Sequence, residues 1–423
     1  MFKNYYDDTI GTRPVRPALK GVVEAEVCIV GAGFAGMATA LGLLERGVKS
    51  VVVLDAERVG FGASGRNGGF VFGGYSLDCA DLLAHLGEER ARHIYALTRQ
   101  AVDLIRKRIV RHGIECEAVE GGALMANWFD EPAILTSQQQ LMRDHFGVEW
   151  RYVDKSELSD KWVMSDRYHA GLLEPDAFHF HPLKYALGEA AAIESLGGQI
   201  FERSRVVSMD IREASTTVKT AEGEVVAKHV VIAGGGYLAK LIPTLERAIL
   251  PIATYVMVTE PLGDSVHRLI PSPAAIYDTR FAFDYYRKLN DTRILWGGRI
   301  SIRDRSAEDI AVFLKQDMVK VFPSLSNTRV DYAWGGMMSY ARHKMPQIGR
   351  LPNGIWYGLG FGGHGVAPTT AAGELIAKAI GENEPIPKDF ERYGLPRTFR
   401  PAGLLAAQAT YSWFQLKDAW RER

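Results

Sequence analysis

The sequence predicts an α/β fold in which a discontinuous nucleotide-binding domain carries a second, inserted domain. Three observations lead there. Residues 23 to 55 read as strand, glycine turn, helix and strand, the opening of a doubly wound sheet. Residues 355–380 read as a second strand, glycine loop and helix. Between them lie strand-like, aromatic-rich segments, and 423 residues are too many for one simple core. Two halves of one site, at 25–70 and 355–380, therefore flank an insertion.

In chain order, VEAEVCIV is the first strand, Gly31–Gly36 the turn, and the helix runs to Gly47. The strand SVVVLD then ends at Asp55, and a glycine-rich stretch follows from Gly60 to Gly69. Apolar positions Leu97, Val102, Leu104, Ile105 and Ile109 predict one helical region from about Asp81 to His112. The segment 116–174 is mixed, with Gly121-Gly122 as a turn and Trp128, Trp150 and Trp162 as packing residues. A helix over 181–198 is closed by glycines. Short strands flank Val206 and Val218, and HVVIA runs into a second glycine turn at Gly234. Residues 250–340 alternate strand patterns with one helix near Glu308–Val321. No internal repeat or low-complexity linker interrupts this order.

Bulk properties exclude several classes. Lys+Arg and Asp+Glu both number 50, so a neutral chain argues against nucleic acid as the main partner. Cys28, Cys79 and Cys116 form no CxxC pair and have no histidine at ligand spacing, which predicts reduced thiols and no metal site. The polar stretch MFKNYYDDTIGTRPVR lacks an apolar signal region, and no apolar run reaches the ~18 residues of a spanning helix. Together these predict a cytoplasmic protein.

The strongest motif is Gly31-Ala-Gly33-Phe34-Ala35-Gly36, with Asp55 at the end of the next strand. The first glycine permits a tight turn, the second a close approach of backbone to a pyrophosphate, the third close packing of helix on strand. The helix start offers N–H groups to phosphate. Asp55, with Ala56 beside it, is placed to accept from ribose hydroxyls and would repel a 2′-phosphate. This motif alone does not choose between NAD and FAD.

The choice comes from what lies downstream. Arg58-Val-Gly-Phe-Gly-Ala-Ser-Gly-Arg-Asn-Gly-Gly69 resembles the second FAD loop of the D-amino-acid oxidase/sarcosine oxidase superfamily. Further stretches carry the resemblance: Ser165-Asp-Arg-Tyr-His-Ala-Gly, His181-Pro-Leu, Phe283-Asp-Tyr-Tyr-Arg287 with Leu295-Trp-Gly-Gly298, and Met345-Pro-Gln-Ile-Gly-Arg-Leu351 with Gly360-Phe-Gly-Gly-His-Gly-Val366. Within the superfamily the pattern is most similar to γ-glutamylputrescine oxidases and related bacterial amine and imino-acid (pipecolate) oxidases. The resemblance implies a Rossmann-like FAD-binding domain with an inserted α+β substrate domain on a largely antiparallel sheet. We assign 1–85, 175–240 and 341–423 to the former, and 86–174 and 241–340 to the latter.

It also implies a cofactor site. Ser64, Arg66, Asn67, Gly68 and Gly69 wrap the pyrophosphate and ring edge, and Val206 meets the adenine, with Gly234 nearby. The loop Gly362-Gly363-His364-Gly365-Val366 meets the pyrimidine side of the flavin. Pro368 suits the first turn of the following helix and Gly381 its end. The positive end of that helix would favour a reduced, anionic flavin. Relatives that attach FAD covalently use a cysteine or histidine that those attachment loops lack here, so noncovalent FAD is expected.

Amine oxidation moves a hydride from the carbon beside nitrogen to the flavin. The amine must be neutral, although a free amine has a pKa of about 10, so a dry aromatic pocket is needed. Tyr255, Tyr285, Tyr286, Trp296, Trp334 and Phe361 are the candidate walls, Tyr286 foremost, since it lies inside a family motif. His364 is expected beside the flavin. Met338 stands where glycine and D-amino-acid oxidases carry a carboxylate-binding arginine, and Ala367 where sarcosine oxidases carry a lysine. Arg299 is then the remaining candidate for a substrate carboxylate. Leu295 replaces a lysine that assists oxygen in sarcosine oxidases, which leaves quinone as an alternative acceptor to O2. The C-terminal LLAAQATYSWFQLKDAWRER is amphipathic, and its alternatives are packing on its own domain or a partner, or peripheral contact with the inner membrane face.

Overall fold

A computed structural model describes residues 4–238 and 240–422. The first three residues of the polar N-terminal stretch and Arg423 of the C-terminal segment lie outside the described residues. The strand Gly21–Val30 pairs in parallel with Val51–Leu54 on one side and Gly223–Ile232 on the other. Gln199–Phe201 extends this parallel core beyond Val51–Leu54, and Trp356–Leu359 pairs in parallel with the end of Gly223–Ile232. Both faces of the core are covered, which is why VCIV and VVVL read as continuous apolar runs rather than alternating ones.

The helices Phe34–Glu45 and Val366–Gly381, far apart in sequence, cross at contact distance over this sheet. A Cβ on Gly373 would lie 2.7 Å from both Ala38 Cβ and Thr39 N, so glycine sets how closely the two halves approach. The two motif regions are thus brought together as one layer.

A second sheet runs Val330–Ala341, Ile249–Thr259, Ile294–Ser301, Asp284–Lys288, Ala275–Asp278, Ala123–Ala126, Gly171–Glu174 and Arg151–Val153. Its pairings are antiparallel except Ala275–Asp278 with Ala123–Ala126. The helix Ala307–Val321 covers its far face, around a core that includes Tyr168, Tyr286, Trp296 and Phe322. A small sheet of Phe70–Val71, Phe178–His179 and Val119–Glu120 lies between. The molecule is a Rossmann-like domain with an inserted, largely antiparallel α+β domain.

Three details differ from the sequence reading. The expected helix from 81 to 112 is two helices, Cys79–Leu86 and Glu88–Arg111, because Gly87 turns the chain at φ +78°. The second of these, expected with the inserted domain, packs into the core of the nucleotide-binding domain through Ile94, Val102 and Ile105. Conversely the C-terminal helix Ala402–Arg421 packs on the inserted domain. Phe414 stacks on Phe281 with centroids 4.3 Å apart, and Trp128 Nε1 donates to Glu422 at 2.6 Å. Among the described residues, no helix is long and apolar enough to cross a membrane.

Candidate active site

The glycine turn is sterically exacting. Gly31 has φ +116°, and a Cβ there would lie 2.6 Å from Ala233 O. One on Gly36 would lie 1.9 Å from Gly31 O, so only glycine lets this helix start against its strand. At Gly33 the neighbour is Ser64 Oγ, 2.9 Å from the same hypothetical atom. Ser64, from the second glycine-rich loop, accepts the Phe34 N–H at 2.9 Å and so ties the two loops together at the helix start. Asp55 accepts from Ala32 N at 2.7 Å and Glu57 N at 2.8 Å, bracing the turn. Burial pushes its pKa up, and the two N–H groups oppose that shift.

The second loop is held from within and from both domains. Asn67 Nδ2 donates to Ala63 O and Ser64 O, while its Oδ1 accepts from Gly69 N at 2.8 Å. Arg66 Nη1 donates to Gly335 O at 3.2 Å. Trp334 Nε1 donates to Arg66 O at 2.9 Å, and the buried Arg287 donates through Nε to Gly68 O at 2.7 Å. Arg287, the last residue of the FDYYR motif, is a positioning residue that the sequence reading left without a role. Its signal was a charged residue in a strand otherwise rich in aromatics.

The third loop closes the far side. Gly362 has φ +66° and donates to Ser339 O at 2.7 Å. Ser76 Oγ donates to Phe361 O and accepts from His364 N. The His364 ring packs 4.0 Å from that of Phe72, with Nε2 3.3 Å from Phe72 O. Burial pushes its pKa down to about 4, so the imidazole is neutral near pH 7. Gly365 gives the helix Val366–Gly381 no side-chain cap, and Val366 and Ala367 of its first turn line a cavity.

All three loops converge on one cavity of about 1520 Å³. From the first loop Gly31, Gly33, Phe34, Ala35, Asp55 and Ala56 line it, and from the second Ser64, Arg66, Asn67 and Gly68. Val206, Gly234, Phe361 and the run Gly362–Val366 complete that part of the wall. Gly36 and Gly69 do not line it; both act through backbone packing, Gly69 with φ +82° against Phe180 O.

The aromatic candidates divide. Tyr286, Trp296, Tyr255 and Trp334 do not face the cavity. In the strand Asp284–Lys288, side chains alternate between faces, and Tyr286 takes the core side. There it stacks on Trp296 at 4.4 Å and 1°, with its hydroxyl 3.3 Å from that of Tyr168. Tyr255 packs edge-on to Phe313 and donates to Arg303 O. Tyr285 and Phe361, of the expected walls, do line the cavity, joined by Phe70, Phe72, Tyr277 and Phe283. Phe72 stacks on Tyr277 at 5.8 Å, and Phe70 meets Tyr285 edge-on at 5.5 Å.

Arg299 lines the cavity, but its guanidinium is already engaged by the Asp317 carboxylate at 2.6 and 3.0 Å. Arg280 is similarly held by Asp278 and Asp284. Met338 and Ala367 both line the cavity and bring no charge to it, whereas Leu295 is buried elsewhere, in the core with Tyr5 and Tyr6.

These features fit FAD. The first turns of two helices line one cavity, glycines stand where a Cβ would intrude, and the volume exceeds the ~300–1,000 Å³ usual for a single small ligand. Comparison with known proteins agrees. The family model "FAD dependent oxidoreductase" (DAO) matches residues 26–379. Gamma-glutamylputrescine oxidoreductase of Escherichia coli (strain K12) is 36% identical over 379 residues, covering 89% of this chain and 88% of that protein. A probable oxidoreductase, OrdL, of Haemophilus influenzae is 33% identical over 99% of this chain and 98% of its own length. In fold, glycine oxidase from Geobacillus kaustophilus superposes with a TM-score of 0.74 at 19% identity, covering 89% of this chain and 99% of that one. The chain belongs to the DAO family of FAD-dependent oxidoreductases, enzymes that act on amines or amino acids.

Proposed function

We propose that this enzyme oxidises the C–N bond of a γ-glutamylputrescine-like amine to an imine that water hydrolyses, with noncovalent FAD and O2 reduced to H2O2. The observation that carries the reading is the substrate end of the cavity. Aromatic rings, Phe70, Phe72, Tyr277, Phe283 and Tyr285 among them, wall it, and the two family positions for a basic carboxylate clamp hold Met338 and Ala367. Arg299 and Arg280, which line the same cavity, are paired with buried carboxylates. Such a pocket suits a neutral amine better than a small amino-acid anion, and the 36% identical relative is named for an amine.

FAD, which Gly31, Gly33, Ser64 and the loop Gly362–Val366 would hold, would supply the two-electron acceptor for the C–N bond. The protein's part is positioning and desolvation. Tyr285, Tyr277 and Phe72 exclude water, which favours the uncharged amine. The unpaired N–H groups at Val366–Gly381 favour negative charge at the cofactor's edge. His364, neutral and on the cavity wall, would lie beside the cofactor and is not needed as a base once the amine is uncharged. Acid precipitation tests the noncovalent state: flavin is expected in the supernatant, and flavin retained in the pellet contradicts it. The cavity-lining Cys79 does not favour attachment, since burial pushes its thiol up to about 12.

A second reading rests on the C-terminal helix. Leu405, Trp413, Leu416 and Trp420 form an exposed apolar stripe on it, which suits contact with a membrane surface and quinone as acceptor. The three unbridged cysteines accord with a cytoplasmic enzyme in either case. Oxygen uptake with substrate separates the readings: uptake at the rate of turnover supports the oxidase, and none supports the quinone enzyme.

A further inference from the structure

The end of the cavity beyond Phe72 holds a buried acid that the chemistry above does not use. Glu174 closes the strand Gly171–Glu174 and is 5% exposed. The residue lines the same cavity; its Oε1 accepts from Gly73 N at 3.3 Å, whereas the buried Oε2 has no partner. Two further buried polar atoms are unpartnered there, the Tyr95 hydroxyl and the Trp150 indole N–H. Tyr95 is close: a Cβ on Gly73 would lie 3.2 Å from its oxygen. Trp150 is placed by register. Arg151 pairs with Leu173, which sets Trp150 across from Glu174 on the neighbouring strand.

We infer that Glu174 is the recognition residue for a cationic, ammonium-bearing end of the substrate, held within the aromatic end of the cavity away from the reacting C–N bond. This rests on the amine-oxidation reading and adds to it the second charge that the substrate must carry. A bound cation favours the ionised form of Glu174, whose unpaired oxygen, with the Tyr95 hydroxyl, then accepts from an ammonium group, which has donors only. Phe72 and Tyr277, stacked on each other, add ring faces to the same wall. The Trp150 N–H is a donor and suits an acceptor oxygen near that ammonium. Among the described residues, no cation is paired with this acid. Arg99, whose charge acts on it, is paired with Asp176 at 2.9 Å on the outside. Burial pushes the Glu174 carboxyl up to about 8, with Asp176 adding to the shift and the Gly73 N–H and Arg99 opposing it. Tyr95, Tyr277 and Cys79, the other titratable groups around it, are acids that contribute no positive charge. A ligand cation is therefore what the pocket lacks.

The position is tied to the reaction centre through one segment. Gly73 donates to Glu174, and its neighbour Phe72 packs on His364 of the cofactor loop. A substrate with its oxidisable amine at one end and a cation at the other spans this arrangement.

The test uses FAD-loaded enzyme and three probes: n-butylamine, putrescine and γ-glutamylputrescine. All offer a primary amine, and only the last two carry a second ammonium. The rate of anaerobic bleaching at 450 nm gives the half-saturating concentration of each, and calorimetry on enzyme whose flavin has first been reduced with dithionite gives binding without reaction. Wild type is expected to prefer the doubly cationic probes by about tenfold or more, the scale of one charge-assisted hydrogen bond. Glu174→Gln should erase that preference while leaving n-butylamine and FAD content unchanged, and Glu174→Asp should keep part of it. A preference unchanged in Glu174→Gln, or none in wild type, overturns the inference. Absence of bleaching with every probe would count against amine oxidation instead, and calorimetry would still decide Glu174: putrescine bound equally by wild type and Glu174→Gln, or by neither, overturns it.

Discussion

Tyr285 and Tyr286 are chain neighbours with opposite surroundings, one on the cavity and one in the sheet core. Their substitution should separate the two roles. Tyr286→Ala leaves a void beside Trp296 and should cost ~3–5 kcal/mol of stability, with little change in half-saturation by substrate. Tyr285→Ala should do the reverse, and denaturant unfolding beside anaerobic titration checks both. Arg299→Ala removes the partner of the buried Asp317 carboxylate. Because Arg299 is about one-third exposed, the loss should be a moderate ~1–3 kcal/mol. Its KM for a carboxylated and a plain amine should change alike, and a rise confined to the carboxylated one would restore it as a clamp. His179 is buried between Pro273 O and Arg287, with its pKa pushed down to about 3 by burial and then by that arginine. The unfolded chain takes up a proton below pH ~6.5 that the folded chain refuses, so this contribution is whole above pH ~6.5. It falls by ~1.4 kcal/mol per pH unit down to pH 3. His179→Gln should therefore flatten the acid limb of stability against pH, which unfolding at pH 7 and pH 4 measures.

At the scale of elements, the glycine loops were legible because several of their glycines answer a steric demand that a side chain would not meet. Gly31, Gly33 and Gly36 stand against Ala233 O, Ser64 Oγ and Gly31 O, and the spacing alone announces such a turn. Gly33→Asp should yield protein without flavin, and a yellow, stoichiometric variant would contradict the assignment. The strands were legible as strands, but not the face each aromatic takes. In FDYYR two tyrosines are adjacent, and a one-residue shift in register exchanges core for cavity. The register is set by pairing Tyr286 with Trp296 and Ile276, long-range partners that the local pattern does not name. The break at Gly87 was hidden because its neighbours on both sides keep a helical period. Glu174 was hidden because an acid at a strand end reads as solvated until its burial is seen.

At the scale of the molecule, the cavity exists because an interrupted nucleotide-binding domain and its inserted sheet share a wall. Helices Phe34–Glu45 and Val366–Gly381 present their first turns from one side, and strands carrying Tyr277 and Tyr285 face them from the other. The C-terminal helix Ala402–Arg421 adds Gly403, Ala406 and Tyr411 to the same cavity. Long and doubly wound by order, this architecture was readable from the two separated motifs. The docking of that last helix on the inserted domain was not, because its amphipathic pattern fits several partners equally. The central claim is that this cavity presents an amine to a flavin, and anaerobic bleaching at 450 nm against γ-glutamylputrescine, putrescine, L- and D-pipecolate, L-proline and sarcosine tests it most directly. The account predicts bleaching by γ-glutamylputrescine at the lowest concentration, with colour restored on admitting air; bleaching by sarcosine or L-proline alone, or by none of the panel, would contradict it.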